Sequence, residues 1–124
     1  MKSLRIVCLV VACGLAVAAA GGRLLLSAPF KASDKRNPFD GSGEAARAGA
    51  KLYAKNCASC HGLNREGHRK FPRLDQPEVY AATPGTLFWV LRHGSLRRGM
   101  PSFAHLPEAQ RWQLVTFLRS EANQ

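Results

Sequence analysis

Five consecutive residues, Cys57-Ala58-Ser59-Cys60-His61, place two thiols and an imidazole in little more than one helical turn. Thiols three positions apart on a helix lie to the same side, and each can add across one vinyl group of a haem to form a thioether. His61, four positions after Cys57, then comes up under the ring and can ligate the iron from one face. A bare C-x-x-C also fits a disulfide, a thioredoxin-type redox pair or half of a zinc site completed by His68, His93 or His105. None of these needs a histidine directly after the second cysteine. The sequence around the motif has no preceding strand of the βαβ kind, and the other histidines show no ligand spacing. One C-x-x-C-H occurs, so one covalent haem c through Cys57 and Cys60 is expected.

The opposite axial position needs a donor of its own. Met100 is the candidate, because the other methionine is the initiator. Its neutral thioether favours ferrous iron and raises the reduction potential relative to a second histidine. Gly99 lets the backbone come close to the ring, and Pro101 stiffens the following turn. A lone methionine ordinarily fills a gap in a core, but its place on a Gly/Pro-bounded loop downstream of the attachment motif favours ligation. His93 and His105 are the rival ligands, each better suited to a helix end or a surface, and His68 lies in a basic loop. A ligating histidine is usually oriented through its second ring nitrogen. The carbonyl of Pro72 is the acceptor proposed for His61.

These groups have to be positioned by helices. One should begin just after Ser42 or Gly43, with Glu44 in the first turn where the helix dipole favours an acid. Ala46, Gly49, Ala50, Tyr53 and Cys57 recur at helical spacing and form a narrow apolar or small face, with Arg47, Lys51 and Lys55 away from it. Gly49 would cost a helix about 1 kcal/mol relative to alanine, which suggests a close neighbour, and the last helix is the candidate. The stretch 62–75 reads as a loop punctuated by Gly62, Gly67 and Pro72. A short helix follows from about Thr86 to His93, started by Pro84-Gly85 and ended by Gly94, and a second loop runs over 95–105. The final helix opens at Pro107-Glu108 and carries Trp112, Leu114, Val115, Phe117 and Leu118. The fold class is therefore all-α, three helices and two long loops around one haem. Such a thin core should leave the haem-free chain largely unfolded.

Residues 1–20 read as an export signal: Lys2 and Arg5 precede an uncharged run from Ile6 to Gly22 that ends in small residues. An uncleaved membrane anchor reaching to about residue 26 is the competing reading, and lipidation at Cys13 a third. Either way the domain would lie outside the cytoplasm, in the periplasm, soluble or tethered. Residues 21–42, with two prolines and no apolar period, read as a flexible linker or an arm lying on the surface at most, and 43–124 as the haem domain. From Pro29 onward 15 lysines and arginines face eight acids, a formal balance of +7. In an exported haem protein that charge suits an acidic protein patch or an anionic membrane rather than nucleic acid.

The sequence resembles the class I monohaem cytochromes c over about Gly43 to Ser120. The likeness rests on Gly49 and Tyr53 ahead of Cys57-x-x-Cys60-His61, on Pro72-Arg73-Leu74, on Met100-Pro101 and on Phe117-Leu118. It implies a fold in which the first and last helices cross at right angles, with Gly49 meeting an aromatic of the final helix. It also implies His61/Met100 ligation and a hydrogen bond from His61 to the Pro72 carbonyl. More narrowly, Pro84-Gly85-Thr86-Leu87-Phe88-Trp89 and the block from Gly99 to Gln113 look like small cytochromes that accompany quinoprotein dehydrogenases.

The function expected is one-electron transfer with both axial ligands kept, which makes the protein a carrier rather than an enzyme. The alternative within that class is an electron-accepting subunit or domain of a quinoprotein dehydrogenase. Redox partners with acidic docking surfaces are expected, a dehydrogenase as donor and an oxidase or another cytochrome as acceptor. Arg97 and Arg98 beside the ligand loop, with Arg65, Arg69 and Lys70, are the candidate docking charges. A catalytic haem would require Met100 displaced, and a sensor would require a signalling domain.

Overall fold

The computed structural model describes residues 22–120. The described residues form helices and turns with two isolated β-bridges and no strand. The export signal or anchor falls on residues outside this range. Among the described residues no helix is long and apolar enough to cross a membrane.

Two four-residue helices, α1 (Gly22–Leu25) and α2 (Phe30–Ser33), lie in the segment read as a flexible linker. Both pack on a later helix, and the arm is fastened beyond them by Asn37. The Asn37 amide is buried and donates to the Thr116 hydroxyl at 2.8 Å and to the Trp112 carbonyl at 3.3 Å. The expectation that 21–42 lies at most on the surface therefore does not describe Asn37. A single buried amide gives no periodic signal in a sequence.

The first long helix, α3 (Gly43–Asn56), starts where the sequence places it. The Ser42 hydroxyl accepts from the Ala45 N–H at 3.2 Å and caps one of the four free donors. Ala45, Gly49 and Tyr53 form its buried stripe. One turn, α4 (Ala58–His61), follows a break at Cys57 and stops at Gly62, whose φ of +81° suits glycine.

A helix that periodicity did not reveal, α5 (Pro77–Ala81), opens on Pro77 and buries Val79. Five residues are too few to show a repeat. Next, α6 (Pro84–His93) begins two residues before the expected Thr86, because the Thr83 side chain accepts from the Thr86 N–H at 3.2 Å and leaves Pro84 at the first helical position. A 3-10 turn (Leu96–Arg98) leads into the second loop, and α7 (Glu108–Arg119) closes the chain.

Helix α7 is the centre of the packing: α3, α5 and α6 all lie against it. Leu114 and Val115 are fully buried between them, with Tyr53, Leu87, Leu91, Trp112 and Leu118 around. Phe88 stacks on Trp112 with ring centroids 3.9 Å apart. At Gly49 the backbones of α3 and α7 nearly touch. A Cβ there would fall on the Gln113 carbonyl oxygen and within 2.8 Å of the Phe117 Cβ, and Tyr53 packs on the Phe117 ring at 5.2 Å.

Candidate haem site

The attachment motif is a hydrogen-bonded turn hung on the end of α3. The Cys57 N–H donates to the Tyr53 carbonyl at 2.8 Å, and the His61 N–H to the Cys57 carbonyl at 2.9 Å. The Cys60 N–H also donates to the Cys57 carbonyl, at 3.1 Å, so both cysteines belong to one hydrogen-bonded turn. Cys57 is buried and Cys60 half-buried, and neither is in a disulfide. Before haem is attached, burial and then the neighbouring Cys60 push the Cys57 thiol up to about 11.

His61 Nδ1 lies 2.8 Å from the Pro72 carbonyl oxygen. With a proton on Nδ1 donated there, the lone pair of Nε2 is left for a metal. The acceptor is held by its own loop. Arg73 grips Asp75 with two bonds, of 2.9 and 2.7 Å, just after Pro72. That guanidinium, with the Gln76 amide, keeps the Asp75 carboxyl well below the usual carboxylate range. The Gly67 N–H donates to the His61 carbonyl at 2.7 Å, and the Leu74 N–H to the Arg65 carbonyl at 2.8 Å.

Arg65 is not one of the docking charges. It is 3 % exposed, and its Nη1 reaches the carbonyls of Phe117, Leu118 and Ser120 at 3.2, 3.4 and 3.0 Å. Its guanidinium also lies over the Phe117 ring at 4.9 Å and near the Tyr80 ring at 5.6 Å. The cation meets the last carbonyls and negative dipole end of α7, which is where a buried arginine without a carboxylate can be accommodated. In the sequence it stands beside other charges in a polar loop, and nothing marked it as different.

Met100 is half-buried against the apolar core on the second loop. Paired bonds between Ser95 and Met100, at 2.8 and 3.0 Å, close that loop. The Phe103 N–H donates to the Leu91 carbonyl at 2.8 Å, and the Ser102 hydroxyl to the Arg92 carbonyl at 2.5 Å, so the loop is clamped on the end of α6. A side chain at Gly94, where φ is +63°, would run into the Pro101 carbonyl. Another arginine that sequence reasoning passed over, buried Arg111, supports the same loop by donating at 3.0 Å to the carbonyls of Ala104 and Leu106.

The rival histidines are all exposed. His93 stacks on Trp89, with Nδ1 2.8 Å from the Trp89 carbonyl; His105 lies near Phe103, and His68 in the first loop. Among the described residues no three His, Cys, Asp or Glu side chains gather to hold a bare metal ion. The two loops do approach each other: a Cβ at Gly99 would lie 4.0 Å from Lys70 Nζ and from the Phe71 ring. Lys70 therefore stands by the loop that carries exposed Arg97 and Arg98.

The donor set suits a covalently bound haem. Two unpaired thiols share one turn, and the imidazole beside them has one nitrogen directed at a carbonyl. With an all-α fold of crossover helices packed at Gly49, these features define a small monohaem cytochrome c of class I. Residues 44–118 match the family described as cytochrome c oxidase, cbb3-type, subunit III, and the chain belongs to that family. No curated protein matches it. Its cofactor is one haem c attached through Cys57 and Cys60, and it is an electron-transfer protein that works with redox partner proteins rather than an enzyme.

Proposed function

We propose that the protein carries single electrons outside the cytoplasm, with the haem iron held between His61 and Met100. Bound haem c supplies one reversible Fe(III)/Fe(II) step. His61 and Met100 would hold the iron in both oxidation states, and the clamped loops that carry them would limit reorganisation. The observation that carries this reading is the 2.8 Å approach of His61 Nδ1 to the Pro72 carbonyl, which leaves Nε2 as the free donor. Met100 supports it from a loop fastened at Ser95, Arg92 and Leu91, so that a ligand there would keep its place in both oxidation states. Export is supported by the charged start and uncharged run of residues 1–22.

The family's description names an oxidase subunit, which favours an oxidase-type acceptor. Acceptance of electrons from a quinoprotein dehydrogenase is a second reading, favoured by the Pro84–Trp89 run and the block from Gly99 to Gln113. The test of the ligand set is Met100→Ala. Loss of the sulfur-to-iron charge-transfer absorption and a lower potential are expected, and an unchanged spectrum would sink the assignment.

A further inference from the structure

The arm over residues 22–37 carries exposed apolar side chains that the haem assignment does not use. Four large apolar side chains stand exposed among the described residues; Leu63 and Leu96 belong to the two loops, but Leu26 and Phe30 lie four positions apart on the arm, 84 % and 83 % exposed. A single exposed leucine is ordinary, whereas two large apolar groups exposed within five residues give this short segment an apolar surface. Exposed Lys31, Lys35 and Arg36 follow Phe30 in the sequence against one acid, Asp34, with the Lys35 ammonium over the Phe88 ring.

The face is also rigidly held. Helices α1 and α2 pack on α6, Leu25 turns into the core, and a Cβ at Gly85 would fall on the Ala32 carbonyl oxygen. With Asn37 tied to α7, whatever binds Leu26 and Phe30 fixes the orientation of the haem domain as well.

We propose that this face seats on an anionic lipid surface. Exposed apolar side chains close in sequence to cations are the composition of segments that lie in a membrane interface. The uncharged run from Ile6 to Gly22 ends where α1 begins, so the most apolar stretch of the chain leads directly into the arm. A second copy is a poor partner for these cations, since the chain has 18 basic residues and eight acidic ones. The seating does not depend on the ligands of the iron, nor on whether residues 1–20 are removed.

Amide hydrogen exchange of the full-length holoprotein on vesicles tests this, because it separates the arm from any anchoring by residues 1–21. On phosphatidylcholine vesicles containing phosphatidylglycerol, exchange over residues 24–36 should slow by about tenfold, with little change on phosphatidylcholine alone. Leu26→Glu with Phe30→Glu should abolish the protection while the haem spectrum and melting temperature stay as in the parent. Lys31→Glu with Arg36→Glu should remove the preference for anionic lipid. Three results would overturn the proposal. One is unchanged exchange over 24–36 in protein that still sediments with the vesicles, which would mean that residues 1–21 alone do the holding. Another is equal protection on both lipids, and the third is protection that follows protein concentration without vesicles, the sign of a second copy on the face.

Discussion

Tyr53 shows how one residue joins the helix before the motif to the loop after it. Its ring is buried on Phe117 and its hydroxyl donates to the Gly62 carbonyl at 2.7 Å, so it closes the attachment turn from behind. Burial of the ring pushes the phenol well above its ordinary value, and Arg65 acts in the opposite sense. The sign of the pH effect follows from that direction. The folded state holds the phenolic proton more tightly than the unfolded chain, so the stabilisation is complete below about pH 10 and is lost as pH rises beyond it. Tyr53→Phe should cost about 1–2 kcal/mol at neutral pH by leaving the Gly62 carbonyl unpaired. It should also flatten the alkaline fall in stability, measured by denaturant unfolding between pH 8 and 11. A variant with the parent's slope above pH 10 would mean that other groups carry the effect. Tyr53 was legible as a member of the buried stripe, but its hydroxyl's partner was not, because the partner is a backbone atom brought near by the turn at Gly62.

At the scale of the elements, the contact between α3 and α7 is the joint on which the site hangs. Gly49→Ala would drive a methyl into the Gln113 carbonyl and the Phe117 Cβ, both on a helix held by three others. Helix propensity alone would favour alanine by about 1 kcal/mol, and overpacking costs typically about 1–3 kcal/mol or more. The steric effect wins because the obstacle is backbone rather than a flexible side-chain end. Chemical unfolding should therefore show a net loss of about 1–2 kcal/mol or more, and a variant as stable as the parent would mean that the helices can part cheaply. The need for a glycine at this crossing was readable from its position on an otherwise helix-favouring stripe. The three long helices were readable too, because each repeats its apolar pattern over at least two turns. Helix α5, the early start of α6 and the docking of Asn37 were not, since each depends on a proline, a cap or a single amide. The burial of Arg65 was hidden for a related reason: its partners are carbonyls of a helix end more than 50 residues away.

For the whole molecule, charge and cofactor decide different things. Exposed Lys70 stands beside the loop of exposed Arg97 and Arg98, and we propose that these cations steer an acidic redox partner. The rate of electron transfer to such a partner should fall on the order of tenfold as salt rises from low to physiological strength, and a flat profile would assign these charges to solvation alone. The cofactor decides whether there is a fold to dock. The buried apolar cluster is small, and the loops on either side of α5 and α6 are held mainly by isolated turns and clamps rather than by long helices. A domain of this size has little burial to set against the entropy of ordering such loops. Two thioethers at Cys57 and Cys60, with the ligation proposed for His61, would tie the first loop's start to a large apolar group that supplies the missing contacts. Replacing both cysteines by serine should therefore give a chain with much reduced helical circular dichroism and no cooperative melting transition. A haem-free chain that keeps parent-like helix content and melts cooperatively would show that the packing around α7 suffices without the cofactor.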